Sequence, residues 1–173
     1  MNAAKSQFPT VAAAALLLLW AAFVAYVWGT AAQCPEKVAT HFGASGAPNG
    51  WMTRAGHVQF TILFGTGVPV FVLGIFAFMG RGEGRGLNIP HKDYWLSPER
   101  RQETFAFIHK QGFFFAALFI LFLAGVHRSI LLANLRTPVA LPAAEPFWLG
   151  GGFVISMLVW VAVFVGHFYR QRA

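Results

Sequence analysis

The sequence predicts an all-α, polytopic membrane protein: a bundle of four transmembrane helices joined by ordered loops. Two observations carry that reading. Of 173 residues, 57% are hydrophobic and only 11% charged, against roughly 45–50% and about 25% in soluble domains, so the chain has too few charges to cover its apolar surface in water. Four runs are also long and apolar enough to cross a hydrocarbon core of about 30 Å. The same composition excludes intrinsic disorder. A single cysteine excludes an intrachain disulfide framework and a Cys-based metal cluster.

The predicted spans are 8–30, 58–79, 105–126 and 147–169, forming one membrane domain over 1–173 with an outside loop at 31–57 and an inside loop at 80–104. The first span is uncharged and longer than the h-region of a signal peptide, so it is read as an uncleaved anchor. The third is the hardest to place. Its strictly apolar run, Phe113 to Val126, covers only about 21 Å at helical rise. It must therefore start near Phe105, which puts His109 and Lys110 about one turn inside the boundary, where long side chains snorkel. His127 and Arg128 read as interfacial at its other end.

Orientation follows from the basic residues. With both termini inside, Lys5, Arg81, Arg85, Lys92, Arg100, Arg101, Lys110, Arg170 and Arg172 fall inside, and only Lys37, Arg54, Arg128 and Arg136 fall outside. That asymmetry favours cytoplasmic N and C termini. It also accounts for the formal charge of +7 without a nucleic-acid partner; the bilayer is the partner it implies.

Within the spans, Gly65, Gly67, Pro69 and Gly74 in the second and Gly150, Gly151, Gly152 and Ser156 in the fourth are small residues of the kind that let helices approach closely. They are expected to serve packing within the monomer, with Pro69 kinking its helix. Trp28, Trp148 and Tyr169 mark an aromatic belt.

The outside loop is broken repeatedly by Pro35, Gly43, Gly46, Pro48 and Gly50, and Gly-Ala-Pro-Asn-Gly is turn chemistry. It is expected to be compact, with Phe42 and Trp51 covering the membrane surface or the bundle mouth, and with Cys34 open to a membrane-impermeant thiol reagent from outside. His41 and His57 lack metal-ligand spacing. The inside loop opens with a glycine hinge, GRGEGRG at 80–86. It then starts a helix at Ser97-Pro98-Glu99, with Ser97 as N-cap, after an interfacial plug of Tyr94, Trp95 and Leu96.

The run from Cys34 through Pro35, Thr40, His41, Phe42, Gly46, Pro48 and Gly50 to Trp51 after a first span resembles the DUF1648 family of bacterial membrane proteins. The stretch carrying Asn88, Pro90, Tyr94, Trp95, Pro98, Glu99 and Arg100 resembles one found in many of its members. The resemblance implies a bacterial inner (cytoplasmic) membrane protein. The best understood relatives are longer immunity proteins that protect a producing bacterium from a secreted peptide toxin and hold a repressor at the membrane. The resemblance establishes no enzymatic site.

The expected function is accordingly non-enzymatic: an envelope sensor or immunity-like protein that recognises a peptide or protein through its 33–57 loop, while the inside loop relays or docks. Two alternatives are a structural accessory subunit of a larger membrane complex and a small transporter or channel using His109, Lys110 and His127. The sequence has no HExxH and no Ser/His/Asp arrangement. It assigns no catalytic, cofactor-binding or metal-ligating residue.

Overall fold

A computed structural model describes residues 3–79, 84 and 86–170, with side chains described from Thr10 onward. Helix α1 (Ala3–Thr30) ends in a 3-10 turn, Ala31–Gln33, and leads into strands β1 (Lys37–Phe42) and β2 (Pro48–Thr53). Then follow α2 (Arg54–Met79), the one-turn α3 (Lys92–Trp95), α4 (Arg101–Asn134) and α5 (Ala144–Tyr169). Among the described residues, α1, α2, α4 and α5 are the four helices long and apolar enough to cross a membrane.

Helix α4 is the axis of the bundle. In the most apolar 18 residues of each helix, 39% are buried in α4 against 0% in α5, so α4 is central and α5 lies on the periphery. Phe23 and Val27 of α1, Val58 of α2, and Ile120 and Leu123 of α4 form the middle of the core. Leu87, Ile108 and Phe168 close one end, with Trp95 and Leu96 packed on them; Cys34, Val38 and Leu131 close the other. The predicted plug of Trp95 and Leu96 is thus part of a core.

Of the small residues singled out in the sequence, Gly65 acts as predicted. A Cβ on Gly65 would meet the Phe23 ring at 2.5 Å, so α1 and α2 touch there because that side chain is missing. Gly125 meets Leu149 in the same way at 2.6 Å. Pro69 is buried within α2 and offers no N–H to the Gly65 carbonyl one turn earlier. Gly67, Gly74, Gly150, Gly151 and Gly152 differ from the expectation: nothing lies within 4 Å of a Cβ at any of them. Ser156 turns its hydroxyl back to the Gly152 carbonyl at 2.8 Å. The packing role expected of these residues within the monomer is therefore corrected.

Three further corrections concern boundaries and loops. The third span is 34 residues long, Arg101–Asn134, or about 51 Å, so it projects well beyond a core of about 30 Å. Its last turns stay helical because the outside loop packs on them and buries Leu131, Ala133 and Asn134. The helix also begins three residues after the predicted start. The Ser97 carbonyl accepts from the Arg100 and Arg101 N–H groups in a preparatory turn, and its hydroxyl bonds Glu99 instead of capping the helix. Finally, the ordered outside loop is a β-hairpin, so the fold is mostly but not purely helical. Of the predicted glycine hinge, residues 80–83 and 85 lie outside the described residues.

Candidate functional site

The hairpin pairs Lys37 with Thr53, Val38 with Met52, Ala39 with Trp51, His41 with Gly50 and Phe42 with Pro48, with irregularities on either side of His41. Those irregularities explain two motif glycines. A Cβ on Gly50 would lie 2.8 Å from that of His41, so the wide residue fits only opposite a bare backbone. Gly46 has φ +79°, and a Cβ there would meet the Leu141 carbonyl oxygen at 2.3 Å. That contact joins the hairpin tip to the α4–α5 connection, since the Leu141 N–H donates to the Gly46 carbonyl at 3.0 Å.

Asn134, at the projecting end of α4, fixes the hairpin to the bundle. Its Oδ1 accepts from the Ala39 N–H at 2.8 Å, and its Nδ2 donates to the Ala39 carbonyl at 2.9 Å and to the Ile130 carbonyl at 2.8 Å. One amide thereby satisfies both backbone groups of a fully buried strand residue. At the strand ends, Arg54 pairs with Glu36 at 3.1 Å and Lys37 lies over the Trp51 ring at 5.4 Å. His41 Nδ1 bonds Asn49 Oδ1 on the exposed face.

Docked in this way, the hairpin forms one wall of a groove of about 320 Å³ whose other walls are α4 and the start of α5. Thr40, His41 and Phe42 face Phe122, Val126 and Ile130, with Leu141, Glu145 and Leu149 completing the lining. The groove is mostly apolar, with Thr40 and His41 on the hairpin wall and one charged place opposite. There the Ser129 hydroxyl donates to Glu145 Oε2 at 3.0 Å, and Arg128 stands 4.0 Å from the same carboxylate.

Below the hairpin, three helices meet in a polar chain. His57 Nε2 is 3.1 Å from His127 Nδ1, His127 Nε2 is 2.8 Å from Thr30 Oγ1, and the Thr30 hydroxyl is 2.8 Å from the Tyr26 carbonyl. A carbonyl only accepts, so Thr30 donates to it and accepts from His127 Nε2–H. His127 Nδ1 then accepts from His57 Nε2–H, which fixes both tautomers. His127 is fully buried and His57 is 2% exposed. This corrects the interfacial reading of His127 and moves His57 from the loop into the first turn of α2. His109 and Lys110 are exposed at the opposite end of α4, and the fold does not bring them to His127.

Cys34 is 1% exposed, and burial pushes its thiol up despite the lowering influence of nearby Arg54. The expectation that it lies open to an impermeant reagent is corrected: it sits beneath the hairpin, against Val38 and Leu131.

At the far end of α4, the second motif builds a different feature. Asn88, Pro98, Glu99 and Arg100 are exposed and Pro90 lies in a turn. Next to it, His91 takes a left-handed φ of 52° at the head of α3. Trp95 Nε1 donates to the Phe168 carbonyl at 3.0 Å and the Thr104 hydroxyl donates to the Trp95 carbonyl at 2.8 Å, so α3 bridges α4 and α5. Arg100 lies over the Tyr94 ring at 4.1 Å. Bonds from its own backbone N–H and from Ser97 hold the exposed Glu99 carboxyl below its usual range.

The structure therefore gathers Thr40, His41, Phe42, Gly46, Pro48, Gly50 and Trp51 on one hairpin, with Pro35 two residues ahead of its first strand, and the second motif at the other end of the bundle; the two do not meet. Among the described residues, no three His, Cys, Asp or Glu side chains come together as a metal site. Asn134, Glu145 and Thr30 escaped the sequence reading. Thr30, His57 and His127 each fall at the hairpin-side end of a span, so equal depth was a usable signal for that chain. Nothing in the sequence tied Asn134 to Ala39.

Fold and site together define a small helical membrane protein with four candidate spans, capped at one end by a docked hairpin. Residues 15–65 match the family model DUF1648, a domain of unknown function. The matched stretch takes in most of α1, the whole hairpin and the first part of α2. It therefore includes Thr30 and His57 but leaves out α4 and α5, which complete the groove. No curated protein and no solved structure matches the chain.

Proposed function

We propose that this is a non-enzymatic, multi-pass protein of the bacterial inner membrane, with both termini cytoplasmic, that captures an envelope peptide or protein segment in the groove beside its hairpin. The observation that carries the reading is the hairpin's attachment: Asn134 and Leu141 hold the backbone at Ala39 and Gly46. The wall presenting Thr40, His41 and Phe42 is thus preformed, which lowers the ordering cost of binding. The lining favours an extended segment with apolar side chains; a cationic group on it would share Glu145 with Arg128.

Filling the groove tests this. Leu141→Trp and Glu145→Lys should each abolish protection against, or complex formation with, the cognate peptide, while Trp148→Ala on the exposed outer surface should change neither. Retention of both activities in both groove variants contradicts the reading.

A second reading, an accessory subunit of a larger membrane complex, is favoured by the stretch Gly150–Gly152, where an added Cβ would meet none of the described residues within 4 Å. Stoichiometric copurification with one assembly, lost in Gly151→Leu, would support it over the first.

A further inference from the structure

The groove at the hairpin leaves unused a larger cavity at the opposite end, about 570 Å³, between α4 and α5. Its walls change character along their length. Phe107, Val159, Val163 and Gly166 line the part nearer the middle of the bundle; Tyr94, Arg100, Glu103, His167 and Arg170 form the rim. From Val159 to Arg170 is about 16 Å of helix, about half of a hydrocarbon core of about 30 Å. The wall therefore runs through one leaflet from acyl depth to headgroup depth. Val159 and Val163 are 58% and 55% exposed, so the apolar part opens sideways to lipid.

The rim is preformed. Trp95 ties α3 to both helices through the Phe168 carbonyl and the Thr104 hydroxyl. Phe107 and His167 stack at 3.7 Å between ring centroids. The Arg100 guanidinium carbon stands 4.1 Å from the Tyr94 ring centroid, a ring-face contact that still leaves guanidinium N–H donors for a phosphate. Arg170 supplies a second cation from the end of α5; among the described residues Glu103 is the acid that lines the rim, and Glu99 stands near Arg100 outside it. A neutral chain would make no use of the two arginines of the rim, and a free phosphate would leave the apolar wall empty. A ligand with one acyl-chain region and one anionic head matches both halves.

We infer that this cavity seats one anionic phospholipid, its chain along Val159 and Val163 and its phosphate between Arg100 and Arg170. Glu103 opposes a second negative charge and accepts a hydrogen bond from a headgroup hydroxyl, so a monoanionic phosphoglycerol head fits best. The seat is independent of the groove at the hairpin.

The test is native mass spectrometry of the full chain released from nanodiscs of equal parts phosphatidylglycerol and phosphatidylcholine. The wild type should retain one phosphatidylglycerol at least fivefold in preference to phosphatidylcholine. Arg100→Ala/Arg170→Ala should bring that preference close to one. Gly166→Leu should reduce retention of both lipids; a Cβ there has nothing within 4 Å, so this variant fills the cavity without disturbing the fold. Equal retention of the two lipids by the wild type would overturn the inference, as would a preference unchanged in Arg100→Ala/Arg170→Ala or a retention unchanged in Gly166→Leu. Displacement of the lipid by millimolar inorganic phosphate would also overturn it, in favour of a simple phosphate site.

Discussion

His57 Nε2 lies 3.1 Å from His127 Nδ1, and this bond joins the first turn of α2 to the inside of α4 at the level where α1 ends. Because the chain continues through Thr30 to the Tyr26 carbonyl, both imidazoles are held with the proton on Nε2. Nitrogen-15 NMR of the histidines should report that tautomer for both rings. An Nδ1 proton on His127 would break the directional order of the chain.

The same relationship has an energetic consequence. Hydrogen bonds between helices in lipid contribute on average about 0.6 kcal/mol and at most about 1.7 kcal/mol, so a His57→Phe/His127→Phe double-mutant cycle should give a coupling of about 1 kcal/mol in steric-trap or denaturant unfolding. The coupling has the sign that makes the two single losses exceed the double loss. Additive losses would mean that the pair contributes nothing.

Asn134→Ala leaves the Ala39 N–H and carbonyl buried without their partner. The cost of such orphaned groups is about 1–3 kcal/mol, and here it falls on the hairpin more than on the bundle. Hydrogen exchange across 37–53 should quicken by at least tenfold while the middles of α2 and α4 keep their protection. Uniform acceleration everywhere would show that Asn134 stabilises the whole fold and not the docked wall.

Glycines in this chain fall into two groups. Gly46→Ala meets a backbone oxygen at a left-handed φ, and Gly50→Ala meets the His41 Cβ, so each should lower Tm measurably. Gly151→Ala enters open space and replaces a poor helix former, which favours the helix by up to about 1 kcal/mol. A thermal-shift series in one detergent checks all three, and equal effects would refute the distinction.

Burial governs the single thiol. With Cys34 enclosed and its pKa raised, an impermeant maleimide should react at pH 7 at least a hundredfold more slowly than with Ser45→Cys in a Cys34→Ala background, Ser45 being exposed in the hairpin turn. The raised pKa also has a linkage sign: an unfolded thiol ionises first, so this contribution to stability is complete below the unfolded value and is lost as pH rises through the folded one. Rapid labelling of native Cys34 would contradict its placement under the hairpin.

How much of this was legible in the sequence depended on the kind of signal. The four spans were visible because hydrocarbon demands runs of apolar residues whatever the partners. Gly46 and Gly50 announced a turn, but the strand pairing around them did not register: Lys37–Phe42 and Pro48–Thr53 are short, and the bulges beside His41 break strict alternation. Asn134 was hidden because its role depends on Ala39, 95 residues away, and α4 outran its predicted end because the hairpin, not lipid, covers its last turns. The second motif disclosed Tyr94, Trp95 and Arg100 as a unit. That Trp95 among them bridges α4 to α5 needed the packing of Phe168.

The proposed function requires the groove between β1, α4 and α5 to receive a ligand. A photo-cross-linking amino acid placed at Phe42 in native membranes tests it most directly, with Leu158 on the lipid-facing side of α5 as the comparison. The account predicts a discrete protein or peptide adduct at Phe42 that disappears with Glu145→Lys and is absent at Leu158. The same adduct pattern at both positions, or no adduct at Phe42 in cells exposed to the cognate peptide, would contradict it.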